Sequence, residues 1–370
     1  MPLLLKKLNE MASSFVRLPA AGIDISDRTV KYLKFSSGRK LDFDFWGEIF
    51  IPQGLVENGE IKKEEELVNI IKEKYPRSKG MGLSKSSYVI GSLPEEKGFI
   101  RVIQTPKVKT AEVASAIKWE LEANVPVPMD ELYFDYEIIQ SAEENLDHYD
   151  VLIVAYPKAV VDSYSNVFQK AGLLPIAFES EAQSITRALY ASFEGNEAVI
   201  IADMGATRTT FIVFGGGTII LTITINFGGR DIHSAIAKNL GISLEEAEKI
   251  KKETGLNKKE KDGKLYEILV WSLGVLVDEL KRQIWYYQDH LSHRHGASPK
   301  ITKIYLCGGE ANLIGLVPYL NVALSLPVVI ADPFIAVKNK MFSAIPPIAK
   351  DKSLGFTTVL GLAERGLIIS

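Results

Sequence analysis

Apolar and polar residues alternate over short runs, switch to helical spacing, and the switch recurs down the chain. Alternation or short apolar runs predict strands over 29–35, 43–51, 87–92, 99–105, 132–140 and 151–155, because side chains two apart share a face of a pleated strand. Helical spacing predicts helices over 62–74, over the stretch where Val113, Ile117 and Leu121 share a face, and over 158–171. Pro126 and Pro128 stop the second of these and Gly172 closes the third. After Gly195 the pattern restarts with a strand at 198–202 and two more at 209–214 and 218–225 around Gly215, Gly216 and Gly217. A helix at 231–240, a charged helical stretch at 243–264 that loosens near Gly255 and Asn257, and a long helix at 266–291 follow. A strand at 303–306 then leads through a glycine turn into a helix at 311–320. The chain reads as an alternating α/β protein with two halves.

Two segments imitate membrane signals. Residues 209–229 carry no charge and are long enough to span a bilayer, but three central glycines and many Thr and β-branched residues make them a strand pair. At the start, Leu4, Leu8, Met11 and Phe15 form one apolar face beside Lys6, Lys7 and Arg17. This short amphipathic helix is expected to pack on the protein's own body; a membrane-surface or partner-docking role is the alternative. Its apolar run is too short and interrupted for a secretory signal.

Composition narrows the class. With 370 residues, 46% hydrophobic and 24% charged, the chain can bury a large core and is expected to form two domains. Lys and Arg number 43 against 46 Asp and Glu, and the net charge of −3 offers no global field for nucleic acid. The lone Cys307 excludes an internal disulfide framework.

Two turns carry the candidate chemistry. Gly22-Ile23-Asp24-Ile25-Ser26 and Asp203-Met204-Gly205-Ala206-Thr207-Arg208-Thr209 each place a carboxylate between two paired strands. The second can offer backbone N–H groups and hydroxyls to phosphate while Asp203 faces a hydrated Mg²⁺. Either turn alone is also an ordinary β-turn. Gly228-Gly229 opens the helix at 231–240, whose N-terminus suits an anion. Cys307-Gly308-Gly309-Glu310 repeats the strand, glycine turn, helix arrangement.

The ordered set resembles the actin/Hsp70/sugar-kinase ATPase superfamily: an aspartate hairpin, an Ala/Glu segment, a second aspartate hairpin, a Gly-Gly turn, an Ala-Glu-x-x-Lys helix and Gly-Gly-Glu. Within it the chain looks most like the PilM family of actin-like proteins of type IV pilus assembly. Ala116-Ile117-Lys118-Trp119-Glu120-Leu121-Glu122 with Val125-Pro126-Val127-Pro128, then Asp135-Tyr136, and Asp203 to Thr207 carry that likeness, which runs from about 20 to 365. It implies a duplicated two-domain actin-like (ribonuclease H-like) fold with an inserted FtsA-type 1C subdomain. The implied division is an N-terminal amphipathic segment at 1–19, domain I at 20–94 and 176–197, and the insertion at 95–175. Domain II follows at 198–354, with a charged helical part at about 241–295, and a C-terminal helix at 355–370 returns to domain I.

The resemblance also implies roles. Asp24 and Asp203 would face each other across a cleft and position Mg²⁺, with ATP phosphates between the hairpins. Lys31 matches a lysine position on the first hairpin, and Ser26, Gly205, Thr207 and Thr209 would meet phosphate. Gly228 and Gly229 match the Gly-Gly turn, while Gly308, Gly309 and Glu310 resemble the adenosine motif. Glu248 and Lys251 resemble the helix that bonds ribose or adenine; without the likeness they read as a solvated face. Glu181, after Glu179, matches the glutamate that orients the attacking water. Three positions depart from the family: Ser26 replaces glycine, Arg208 replaces a small hydroxyl residue, and Glu179 replaces aspartate. Ser26 can still bond phosphate and Arg208 can offset its charge, so slow hydrolysis and nucleotide held as a structural ligand both stay open.

The implied partner is the cytoplasmic tail of a PilN-like inner-membrane protein, held in a groove that involves the insertion; other pilus platform or motor proteins are further candidates. Location would be cytoplasmic, at the membrane through that partner. Two rivals share the fold: an FtsA-like division protein, weakened because the sequence given ends at Ser370 without a C-terminal membrane helix, and a small-molecule kinase. His290, His293 and His295 raise a metal reading that a solvent-facing helix end answers more simply.

Overall fold

The computed structural model describes residues 20–36, 41–76, 88–107, 110–139, 148–195, 197–259, 263–291, 300–338 and 346–368. The amphipathic segment at 1–19 and His293 and His295 lie outside them. The first half opens with β1 (Ala21–Ile25), β2 (Thr29–Phe35) and β3 (Phe43–Phe50), then a ribbon of β4 (Val56–Glu57) and β5 (Glu60–Ile61), helix α1 (Glu64–Lys74) and β6 (Tyr88–Leu93). Next come β7 (Phe99–Pro106), α2 (Thr110–Asn124), β8 (Leu132–Ile139), β9 (His148–Pro157), α3 (Lys158–Lys170), β10 (Leu174–Ser180) and α4 (Glu181–Leu189). The second half holds β11 (Ala198–Met204), β12 (Thr209–Gly215), β13 (Thr218–Ile225), α5 (Gly229–Leu240), α6 (Leu244–Thr254) and α7 (Lys264–Tyr286). It ends with β14 (Ile301–Cys307), α8 (Leu316–Leu324), β15 (Val328–Ile330), α9 (Ile335–Lys338), α10 (Lys350–Ser353) and α11 (Thr357–Ile368).

One plan is built twice. The first sheet runs β3-β2-β1-β6-β10, and the second contains β13-β12-β11-β14-β15. In each, an antiparallel meander of three strands is extended by two parallel strands, β1 to β6 to β10 and β11 to β14 to β15. Parallel neighbours need crossover connections, and helices supply them. The first turn of each meander therefore falls at the same end of its sheet, and Asp24 and Asp203 stand on the strands that lead into these turns.

The second sheet continues beyond β13. Strands β7, β9 and β8 extend it, joined where Leu221 of β13 pairs with Arg101 of β7. Val113, Ile117 and Leu121 of α2 are fully buried against Ile103, Val151 and Ile153, as their spacing predicts. Each contributes about 2 kcal/mol by leaving water. Helix α3 does not join them: Tyr164, Val167 and Phe168 pack with Leu67, Val68 and Ile71 of α1 in the core of the first sheet. The block expected over 95–175 thus divides in packing, with 99–157 around α2 and with α3 and β10 on the first sheet.

Two glycines with left-handed backbone end or delay helices. Gly255 sits at φ +57 and ends α6, where the charged stretch 243–264 is expected to loosen. Gly315 at φ +83 separates a 3₁₀ turn, Gly309–Asn312, from α8, where one helix is expected over 311–320. The long helix begins at Lys264 and closes in a π-helical turn, Tyr287–Leu291. Strand β10 is not visible as a pattern because Pro175 interrupts it; as an edge strand it tolerates the missing donor. Helix α11 lies directly on β1, since a Cβ at Gly22 would come within 2.7 Å of Leu362 Cβ and the Val359 carbonyl.

Candidate functional site

The two meander turns face a common cleft of about 650 Å³. On the first hairpin Asp24 pairs across the ladder with Lys31, so both side chains leave the sheet on one face. Ser92 Oγ donates to Asp24 Oδ1 at 2.7 Å and fixes the carboxylate. The Ser26 N–H donates to the Thr29 carbonyl at 2.9 Å, while its hydroxyl donates to that carbonyl at 3.1 Å and accepts from the Thr29 N–H at 3.2 Å. Ser26 lines the cleft but spends its side chain on the turn. Lys31 Nζ lies 3.8 Å from Glu48 and over the Phe356 ring.

On the second hairpin the Gly205 N–H donates to the Arg208 carbonyl at 2.9 Å and closes the turn. Asp203 pairs across the ladder with Thr210, and both line the cleft. Strand alternation turns Thr209 the other way, contrary to the expected phosphate contact: it is fully buried and its hydroxyl donates to the Phe227 carbonyl at 2.8 Å. Burial and the charge of Asp24 push the Asp203 carboxyl up to about 6. Two carboxylates aimed into one cleft are hard oxygen donors of the kind that Mg²⁺ takes. Among the described residues no three acidic, His or Cys side chains converge as a metal cage.

The Gly228-Gly229 turn is structural. Gly229 and Arg230 N–H groups donate to the Gly205 and Ala206 carbonyls at 3.1 and 2.8 Å, and Gly228 N–H donates to Asp231 Oδ2 at 2.9 Å. These donors, at a helix N-terminus expected to suit an anion, are therefore committed, two to the second hairpin and one to Asp231. A Cβ at Gly228 would lie 2.7 Å from the Gly205 carbonyl, so this residue lets helix and turn touch.

The far end of the cleft collects Gly308, Gly309, Glu310, Glu248, Leu244 and His233. Gly308 adopts φ +82, and a Cβ there would strike the Met204 carbonyl. Lys251 does not line the cleft; it is buried and ion-paired with Glu310, which it holds in place. Glu248 pairs with Lys252 at 2.6 Å while keeping a place in the lining.

Glu181 begins α4 after Ser180, which caps the helix by accepting from the Gln183 N–H at 3.0 Å. Burial raises its carboxyl well above the usual range, against the pull of Arg208. Glu179 points elsewhere: its side chain is buried and accepts from Arg187 at 2.5 Å and Arg365 at 2.6 Å. Behind the first hairpin, burial pushes Glu95 up to about 7 while its Oε2 accepts from the Ala182 N–H at 3.0 Å.

The cleft thus brings together Asp24, Ser26, Lys31, Glu181, Asp203, Gly205, Thr207, Glu248, Gly308, Gly309 and Glu310, and leaves out Thr209, Gly228, Gly229 and Lys251. It adds Asp27, Thr210 and His233. Thr210 was findable by alternation from Asp203, and Asp27 by its place in the first turn; His233 carries no signal apart from helix α5.

The profile of a family described as type IV pilus assembly protein PilM matches residues 22–367. A structure of a PilM–PilN type IV pilus biogenesis complex superposes with a TM-score of 0.78 at 24% identity, covering 95% of this chain and 99% of that one. Ethanolamine utilization protein EutJ from Carboxydothermus hydrogenoformans gives 0.53 at 16% identity, covering 93% and 88%. MreB5 of Spiroplasma citri bound to AMPPNP gives 0.54 at 15%, covering 92% and 94%. The fold is the actin-like one.

Proposed function

The chain belongs to the PilM family of type IV pilus assembly proteins, and from that we propose that it is an actin-like, ATP-binding scaffold that seats the cytoplasmic tail of a PilN-like membrane protein. The family match carries the reading, and the neighbour solved as a PilM–PilN complex supports the choice of partner. Membership sets aside the division-protein and small-molecule-kinase rivals. No described helix is long and apolar enough to cross a membrane. We place the protein in the cytoplasm, held at the inner face of the membrane by its partner.

A second groove offers a seat for the tail. It measures about 440 Å³ between Glu137 and Leu152 of the β7–β9–β8 block and Thr186, Arg187 and Tyr190 near α4. Tyr190 is exposed, and the buried Thr186 hydroxyl has no hydrogen-bond partner. Helix α4 starts at Glu181 in the nucleotide cleft and ends at this groove. Closure of the cleft on nucleotide would therefore move one wall of the seat, which couples the two sites.

Nucleotide binding rests on the two opposed carboxylates and the glycine turn at Gly308. Asp24 and Asp203 would hold Mg²⁺, which would neutralise phosphate charge when bound. Gly205 and Thr207 would meet the phosphates, and Gly308, Gly309 and Glu248 the nucleoside. The neighbouring MreB5 structure contains AMPPNP, which supports this use of the fold.

Anisotropy of a labelled PilN-type tail peptide, titrated with this protein under ATP, ADP and no nucleotide, tests the proposal. We expect binding whose affinity differs between nucleotide states, weakened about tenfold by Tyr190→Glu. Equal affinities remove the coupling, and no binding removes the scaffold.

A further inference from the structure

Arg208 closes the second hairpin, and it does not project freely into the cleft. Its Nη1 lies 2.5 Å from Glu96 Oε1 and 3.3 Å from Asp27 Oδ1, and its Nη2 lies 3.8 Å from Glu181 Oε1. The side chain is 11% exposed. Beside it, Thr207 Oγ1 donates to Asp27 Oδ2 at 3.0 Å. The second hairpin is thereby clasped to three parts of the first half: the β1–β2 turn, the 3₁₀ turn after β6, and the first residue of α4.

One guanidinium serves three carboxylates, so the charge is fully used within the protein. Hydrolysis of ATP makes a different demand. A water oxygen bonds to the γ-phosphorus, the bond to the β,γ-bridging oxygen breaks to leave ADP and phosphate, and a carboxylate orients the water and takes its proton. Glu181 is the carboxylate that the nucleotide reading assigns to that task, and its Oε1 lies toward the Arg208 guanidinium. An oxygen engaged in an ion pair within the protein is not free to orient a water.

We propose that Arg208 is a positioning residue that withholds Glu181 from water activation, so that nucleotide closes the cleft without being turned over. The inference rests on the nucleotide reading above.

The test measures Mg·MANT-ATP binding and single-turnover phosphate release for the parent, Arg208→Thr, Arg208→Lys and the double variant Arg208→Thr/Glu181→Gln. Arg208→Gln, closer in volume, replaces Arg208→Thr should the latter not fold. We expect Arg208→Thr to bind nucleotide and release phosphate at least about tenfold faster than the parent, within the range a general base supplies. Arg208→Lys should return to the parent rate, and the double variant should lose the gain. A variant that binds but releases phosphate no faster than the parent overturns the proposal, as does a gain that survives Glu181→Gln. If the parent binds no nucleotide, the nucleotide reading fails by itself. The clasp is then judged by thermal unfolding of Arg208→Thr, Glu181→Gln and the double variant, where non-additive shifts support it and additive ones overturn it.

Discussion

Glu179 Oε2 accepts from Arg365 Nη1 at 2.6 Å, tying the end of β10 to the C-terminal helix α11. The Glu179 side chain is 1% exposed, and Arg187 donates to both of its oxygens, so two guanidinium groups share a buried carboxylate. Removing the carboxylate strands both cations. Glu179→Ala is expected to lower stability by about 3 kcal/mol, and Arg365→Ala by less because Arg187 remains. Chemical denaturation of both variants checks the order; equal losses would contradict it.

Asp203→Asn separates the metal role from stability. The folded carboxyl titrates near 6 against an ordinary 3.8, so its contribution is fully present below about pH 4 and is lost as pH rises through 6. Without nucleotide, the variant should therefore gain on the parent between pH 4 and 7, by on the order of 1 kcal/mol after solvent screening. Its Mg²⁺-dependent ATP affinity should fall. Thermal scans across pH and titrations with and without Mg²⁺ read both, and unchanged affinity in Mg²⁺ would remove the metal role.

Adjacent threonines should differ in nucleotide binding. Thr209→Val leaves the buried Phe227 carbonyl without its hydroxyl donor and should cost about 1 kcal/mol of stability with nucleotide affinity unchanged. Thr210 lines the cleft while its hydroxyl shares a hydrogen bond with Thr224 at 2.9 Å, so Thr210→Val should cost a similar stability and weaken nucleotide binding as well. Paired melting and binding measurements decide; the reverse assignment would mean the strand register is misread.

Lys251→Met removes the buried partner of Glu310. ATP and ADP affinity should fall by similar factors, because the pair supports the nucleoside end and no phosphate contact is lost. Titration with both nucleotides checks this, and a loss confined to ATP would place Lys251 at the phosphates instead.

Most strands, and helices with strong periodicity, were legible from the chain, as Val113, Ile117 and Leu121 show. Reading failed where tertiary position overrode local signal. Pro175 is harmless only because β10 is an edge, and Gly315 breaks a helix that its neighbours favour. In the site, residue types were legible but directions were not. Thr207 and Thr209 looked alike until pairing with β11 put Thr210, not Thr209, beside Asp203. Lys251 and Glu310 are 59 positions apart, and only the fold reveals that one holds the other. Arg208 marked itself as a departure in the sequence, but its three carboxylates come from distant segments that no spacing connects.

The block of β7, β9 and β8 belongs to the first half by chain order and to the second sheet by its pairing at Arg101 and Leu221. It is stitched to both sides of the cleft. A rotation of the first half against the second would leave this block with the sheet it is paired to and turn it against α3 and β10, which follow it in the chain but pack on the first sheet.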